Sequence, residues 1–136
     1  MDDLENLVKV SKEIQDKMKK DGQQALVAGF KSVFDAHPEL ISFSWTQYTP
    51  YFNDGDACYF GVYEPDYFTF QGESGPEEYE YYDEVIEPDR QKIAGEIRSK
   101  FRVVEDLGEN MKLICGDHSR VTLYADKIEI EEHEHE

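Results

Sequence analysis

The chain has 136 residues, of which 39% are apolar and 13% aromatic, and its 31 Asp and Glu outnumber 14 Lys and Arg to give a net charge of −17. That aromatic and aliphatic content excludes a disordered chain, and the length fits one domain with its own core. The charge lies well beyond the magnitude of roughly 2 to 8 usual for a small domain. A field of that sign repels nucleic acid and anionic lipid and attracts basic surfaces or cations, so a direct nucleic-acid binder is the least expected class and no membrane partner is expected.

Leu4, Leu7, Val8, Ser11, Ile14 and Met18 recur at helical spacing, with Lys9, Lys12, Glu13, Asp16 and Lys19 on the other face. This predicts an amphipathic helix. Asp21-Gly22 interrupts the pattern before Ala25, Leu26, Gly29, Phe30, Val33 and Phe34 resume it, which leaves open two helices or one bent helix. Pro38 bars its predecessor from helical geometry. The start, Met1 to Glu5, has neither the positive charge nor the apolar run of a signal peptide, and no stretch approaches the roughly 20 apolar residues of a membrane span, so a cytoplasmic protein is expected.

Ile41 to Trp45 alternates apolar and polar residues, the period of a strand with one buried face. Asn53-Asp54-Gly55-Asp56 is turn chemistry, and Ala57 to Tyr63 returns as the partner strand, with Cys58, Phe60 and Val62 expected to face Ile41, Phe43 and Trp45. Residues 64 to 89, with Pro65, Gly72, Gly75, Pro76 and Pro88 among carboxylates, suit a long excursion better than regular structure. Pro88-Asp89 opens a helix carrying Ile93, Ile97 and Phe101, with Arg90, Lys92, Arg98 and Lys100 expected on its exposed sides. Val103-Val104, Met111 to Cys115, Val121 to Ala125 and Ile128 to Ile130 then read as short strands of an antiparallel meander. The expected fold is α+β: N-terminal helices plus a third helix packed on an antiparallel sheet of hairpins. It forms a single domain over residues 1–130, followed by an acidic tail at 131–136.

The charge is unevenly placed. Residues 1–31 are neutral, 90–136 carry −3, and 32–89 carry −14 with no Lys or Arg at all. The densest part, Glu77-Glu78-Tyr79-Glu80-Tyr81-Tyr82-Asp83-Glu84, puts five carboxylates and three phenols into eight residues. A solvated loop accounts for the carboxylates alone. Tyrosine, however, supplies rigid apolar area with a polar tip, the chemistry of interface anchors, and a merely solubilising surface mixes both signs. Glu73, Glu77, Glu78, Tyr79, Glu80, Tyr81, Tyr82, Asp83, Glu84, Glu87 and Asp89 are therefore the candidate partner-binding residues. A row of carboxylates imitates a nucleic-acid backbone, with its phosphate per roughly 3.4 Å of each strand, and would occupy a basic groove on another protein.

Other constellations carry less. Asn53 to Asp56 with Glu64 has hard oxygen ligands for calcium but lacks the twelve-residue calcium loop. Cys58 and Cys115 are far apart without zinc spacing and read as reduced thiols. His133 and His135 alternate with Glu in a tail expected to fray. Asp117-His118-Ser119 is a turn, since adjacent residues cannot relay a proton as triad members do. No phosphate loop, nucleophile elbow or His-Glu zinc motif occurs, so no enzymatic activity, cofactor or metal is expected. Two other classes stay open: a small-ligand or divalent-cation-binding protein, and a structural accessory without a dedicated ligand. Self-repulsion argues against large homo-oligomers, whereas an apolar seam among the aromatics could overcome it, so a monomer or small homo-oligomer is expected.

Two stretches, Tyr48-Thr49-Pro50-Tyr51-Phe52-Asn53-Asp54-Gly55-Asp56 with Cys58, and Gly116-Asp117-His118-Ser119-Arg120-Val121-Thr122 leading to Ile128-Glu129-Ile130-Glu131-Glu132, resemble a family of small acidic proteins met largely in bacteriophage genomes. The resemblance implies an accessory protein that inhibits or modulates a host protein, one that handles nucleic acid or serves in defence. It implies no catalytic residue or ligand. In that family Tyr and Asp stand where this chain has His133 and Glu134, which argues against a metal role for the tail.

Overall fold

The computed structural model describes residues 3–50, 58–72, 77–78 and 88–133. Helix α1 (Asp3–Ala36) leads into strand β1 (Leu40–Tyr48), followed by β2 (Gly61–Val62), β3 (Tyr67–Phe70) and β4 (Glu77–Glu78). Helices α2 (Pro88–Asp106) and α3 (Glu109–Cys115) precede β5 (Ser119–Tyr124) and β6 (Ile128–Glu132). The strands form one antiparallel sheet in the order β4-β3-β1-β5-β6, with β2 pairing the far end of β1. The fold is α+β, with the helices on one face of the sheet.

The core lies between those layers. On β1, Leu40, Phe43 and Trp45 face the helices, opposite Phe70, Phe68 and Val121 respectively. The Phe43 ring meets Phe30 of α1 edge-on at 5.1 Å, and Trp45 packs on Phe101 of α2 at 4.8 Å. Ile93, Ala94, Ile97, Phe101 and Val104 bury one stripe of α2, at the spacing the sequence predicts for its first three turns.

Several expectations change. The 34-residue α1 runs unbroken through Asp21-Gly22. A Cβ on Gly22 would stand 2.7 Å from the Ile114 side chain, so this glycine admits α3 against α1, and that packing outweighs the roughly 1 kcal/mol a helical glycine costs. Ile41 is exposed at a β-bulge between Leu40 and Ser42, which returns Leu40 to the core face. Phe43 is opposite Phe68 and Leu123 rather than residues 58–62, because β3 brings two fully buried phenylalanines while β2 pairs only Gln47 and Tyr48. The excursion at 64–89 thus contains a core strand.

Val103-Val104 and Met111 to Cys115 are helical. Met111, Ile114 and Cys115 bury the i, i+3, i+4 positions of α3, and Gly108, at φ 52, makes the corner after α2. The meander therefore reduces to the β5–β6 hairpin, with β5 inserted beside β1. Arg98 is buried, its Nε donating to Pro65 O at 3.1 Å and its guanidinium lying over the Phe68 ring. It ties α2 to the approach of β3. Strand β6 runs through Glu132, taking in the first two residues assigned to the tail, and His133 N donates to His118 O at 2.6 Å. The Asn53–Asp56 turn lies outside the described residues.

Both cysteines are free thiols. Burial pushes the Cys115 thiol up to about 12, whereas Cys58 is only half-buried. A thiol without thiolate does not attack an alkylating reagent. We expect one fast-reacting thiol per folded chain at pH 8 and two after denaturation; two fast thiols in the folded chain would contradict the packing of α3.

Candidate functional site

The two layers differ in charge. Of the fourteen Lys and Arg, all among the described residues, twelve lie on the helices; only Arg120 on β5 and Lys127 in the β5–β6 turn belong to the sheet layer. Both are engaged. Arg120 Nη1 donates to Ser44 Oγ at 3.0 Å, lies 3.7 Å from Asp66 Oδ1, and its guanidinium stacks 4.8 Å from the Tyr67 ring centre. Lys127 Nζ lies 3.2 Å from Glu129 Oε1 and 4.6 Å from the centre of the Tyr124 ring.

Side chains alternate across strands, so the residues between the core positions collect on the face away from the helices. Ser42, Ser44, Tyr67, Thr69, Arg120, Thr122 and Tyr124 form the floor of an open groove of about 550 Å³, with Glu129 and Glu131 of β6 along one side. Tyr124 Oη donates to Glu129 Oε2 at 3.3 Å, and burial followed by the neighbouring Glu129 raises the phenol above its ordinary range. Tyr124 therefore stays a neutral donor at any physiological pH. Alternate residues along a strand stand roughly 6.8 Å apart, about twice the axial rise per phosphate of a nucleic-acid strand. Glu129 and Glu131 have that relation.

Of the residues singled out from the sequence, Glu77 and Glu78 form β4, the outermost strand beside β3, at the opposite edge from β6. Asp89 stands exposed in the first turn of α2, where its charge suits the positive end of the helix dipole. Glu73, Tyr79, Glu80, Tyr81, Tyr82, Asp83, Glu84 and Glu87 lie outside the described residues. Both edges of the sheet thus carry consecutive or alternating glutamates. Sequence reasoning missed Tyr67, Tyr124, Glu129 and Glu131, although the alternation Arg120-Val121-Thr122-Leu123-Tyr124 and Glu129-Ile130-Glu131 already sorts them onto one face.

A second cluster sits at the end of β1. Asp117 accepts from Thr49 N at 2.8 Å, Thr49 Oγ1 at 2.9 Å and His118 N at 2.9 Å. Tyr48 stacks on Tyr63 at 4.6 Å and on His118 at 6.5 Å, and His118 takes the left-handed conformation at φ 50. The two stretches that carry the family resemblance therefore meet at Thr49–Asp117. Partial burial alone would raise the Asp117 carboxyl, but the bonds from Thr49 and His118 outweigh it and hold it below the ordinary aspartate value.

Because its folded pKa is depressed, the joint contributes its full stability above the unfolded value, about 3.9, and loses it as pH falls through the lower folded one. The melting-temperature advantage of the native chain over Asp117→Asn should accordingly shrink as pH drops below about 4. An advantage that is constant from pH 7 to 2 would contradict these bonds.

Among the described residues no group of three His, Cys, Asp or Glu side chains is placed to hold a metal ion, and no helix is long and apolar enough to cross a membrane. In comparisons with known proteins, no family model, no curated protein and no solved structure matches the chain.

Proposed function

We propose that this chain is a non-enzymatic binding protein that offers the acidic sheet side of its fold to a basic surface of another protein, in the manner of a nucleic-acid mimic. The observation that carries this reading is the partition of charge: twelve of fourteen cations lie on the helical layer, and the two on the sheet side are held by their own neighbours. On this reading the carboxylates of Glu77 and Glu78, of Glu129 and Glu131, and of the tyrosine-bearing residues 79–87 engage the partner. Association releases the counterions of the partner's groove and forms Arg–carboxylate pairs. Tyr67 and Tyr124 supply rigid area at the groove. A phage origin, which the sequence resemblance implies, would make the partner a host protein of nucleic-acid metabolism or defence.

The test is an affinity pull-down from bacterial lysate with the native chain and with Glu77→Lys/Glu78→Lys/Glu80→Lys in parallel. A partner captured by the first, lost by the second and displaced by added DNA supports the reading. Capture by both chains contradicts it. A small-ligand reading draws on the hydroxyl-lined groove; a melting temperature raised by a nucleotide or calcium would favour it.

A further inference from the structure

The first half of α1 projects from the body of the protein. Every residue from Asp3 to Lys17 is exposed, including Leu4 at 74%, Leu7 at 63%, Val8 at 70% and Ile14 at 62%. At 1.5 Å per residue this overhang is about 22 Å of helix. Its apolar stripe continues the side of α1 that packs on α3 at Gly22 and enters the core at Leu26 and Phe30, yet nothing among the described residues lies against it. Leu4, Leu7, Ser11, Ile14 and Met18 are spaced three, four, three and four, the alternation of the a and d positions in a helix pair.

We infer that this stripe pairs with the same stripe of a second copy, the two helices running antiparallel about a two-fold axis near Lys9. Two features of the register select this occupant. With Leu4 opposite Ile14 of the second copy, Leu7 falls opposite Ser11, and Val8 and Val10 each flank the seam against their own counterparts. Every exposed apolar side chain of the overhang is then used. The same register brings Asp3 beside Lys17 of the second copy, twice by symmetry, since both occupy g positions and antiparallel pairs join g to g. Parallel pairing would set Asp3 near Val8 and leave Lys17 near Gly22, without a charge partner.

The global charge does not forbid the contact. Residues 1–31 are neutral, the described acids of residues 32–89 lie outside the overhang, and antiparallel pairing sends the two bodies to opposite ends of the joined helices. The interface is short, at the low end of specific ones, which bury upwards of roughly 1,200 Å². Its dissociation constant should accordingly be in the range of roughly 1 to 100 μM.

Sedimentation equilibrium of the full chain over a concentration series tests the pairing. The mass should rise from 15.9 kDa towards twice that value. Leu7→Asp/Ile14→Asp, whose sites are solvent-exposed in the single chain, should melt as the native chain does at concentrations where that chain is monomeric, and should remain monomeric throughout. Asp3→Lys and Lys17→Asp should each weaken association several-fold, and the two together should restore it. A native chain that stays monomeric up to about 1 mM overturns the inference, as does a dimer indifferent to Leu7→Asp/Ile14→Asp or a double swap that restores nothing. A monomer that sediments with anionic phospholipid vesicles also overturns it and assigns the stripe to a lipid surface.

Discussion

Replacing Gln47 by leucine should cost about 3 kcal/mol of folding stability and lower the melting temperature by roughly 10 °C, although leucine is the kind of apolar residue that a core-facing strand position ordinarily takes. Gln47 occupies a core-facing place on β1 after Phe43 and Trp45, where alternation asks for an apolar residue, and it is fully buried. Its Oε1 accepts from Trp45 Nε1 at 3.1 Å, and its Nε2 donates to Met111 O at 2.9 Å and Gly116 O at 2.7 Å. One side chain thus fixes the indole and holds both ends of α3 to the central strand.

In Gln47→Leu the Trp45 indole N–H loses its acceptor and the Met111 and Gly116 carbonyls lose a donor, and a buried polar group left without a partner costs about 1 to 3 kcal/mol. The losses share one network and do not simply add. Gln47→Glu should be at least as damaging, because it presents a carboxylate to two carbonyl oxygens. Urea unfolding with an unchanged m-value measures both variants. A leucine variant within about 0.5 kcal/mol of native would mean that packing alone holds α3 in place.

The second large effect concerns binding. Reversing Glu77, Glu78 and Glu80 changes the local charge by six units, at a strand edge and in the segment that continues from it. Rim charges individually change affinity little, but a row facing a basic groove acts together, and like charges juxtaposed across an interface cost several kcal/mol. We expect affinity for the captured partner to fall at least about 100-fold, which corresponds to roughly 2.7 kcal/mol. Reversal of Glu129 and Glu131 at the opposite edge should weaken it less, because Lys127 already neutralises part of Glu129. Equal effects at the two edges would place the groove itself, rather than β4, at the centre of the contact.

How much of this was readable from residues alone differs between elements. The α2 helix and its buried Ile93, Ile97 and Phe101 follow directly from Pro88 and the spacing of four, and β1 from its alternation. Gly22 misleads because its reason is a helix on another part of the chain: only the approach of Ile114 explains a glycine in mid-helix. Met111 to Cys115 misleads because five residues with apolar side chains at i, i+3 and i+4 satisfy either period until the packing partner is known. Strand β3 is hidden by its proline- and carboxylate-rich flanks, although Tyr67-Phe68-Thr69-Phe70 alternates. On the functional side, the exclusion of Lys and Arg from residues 32–89 is visible in the sequence. The engagement of Arg120 by Ser44, Asp66 and Tyr67 is not, since it joins three strands.

An acidic surface that binds by replacing counterions must show itself in the salt dependence of the partner's affinity. Between about 50 and 200 mM salt the affinity should fall steadily as the facing charges are screened, and Glu77→Lys/Glu78→Lys/Glu80→Lys should flatten that fall. An affinity that holds constant across this range would rule out binding by charge mimicry.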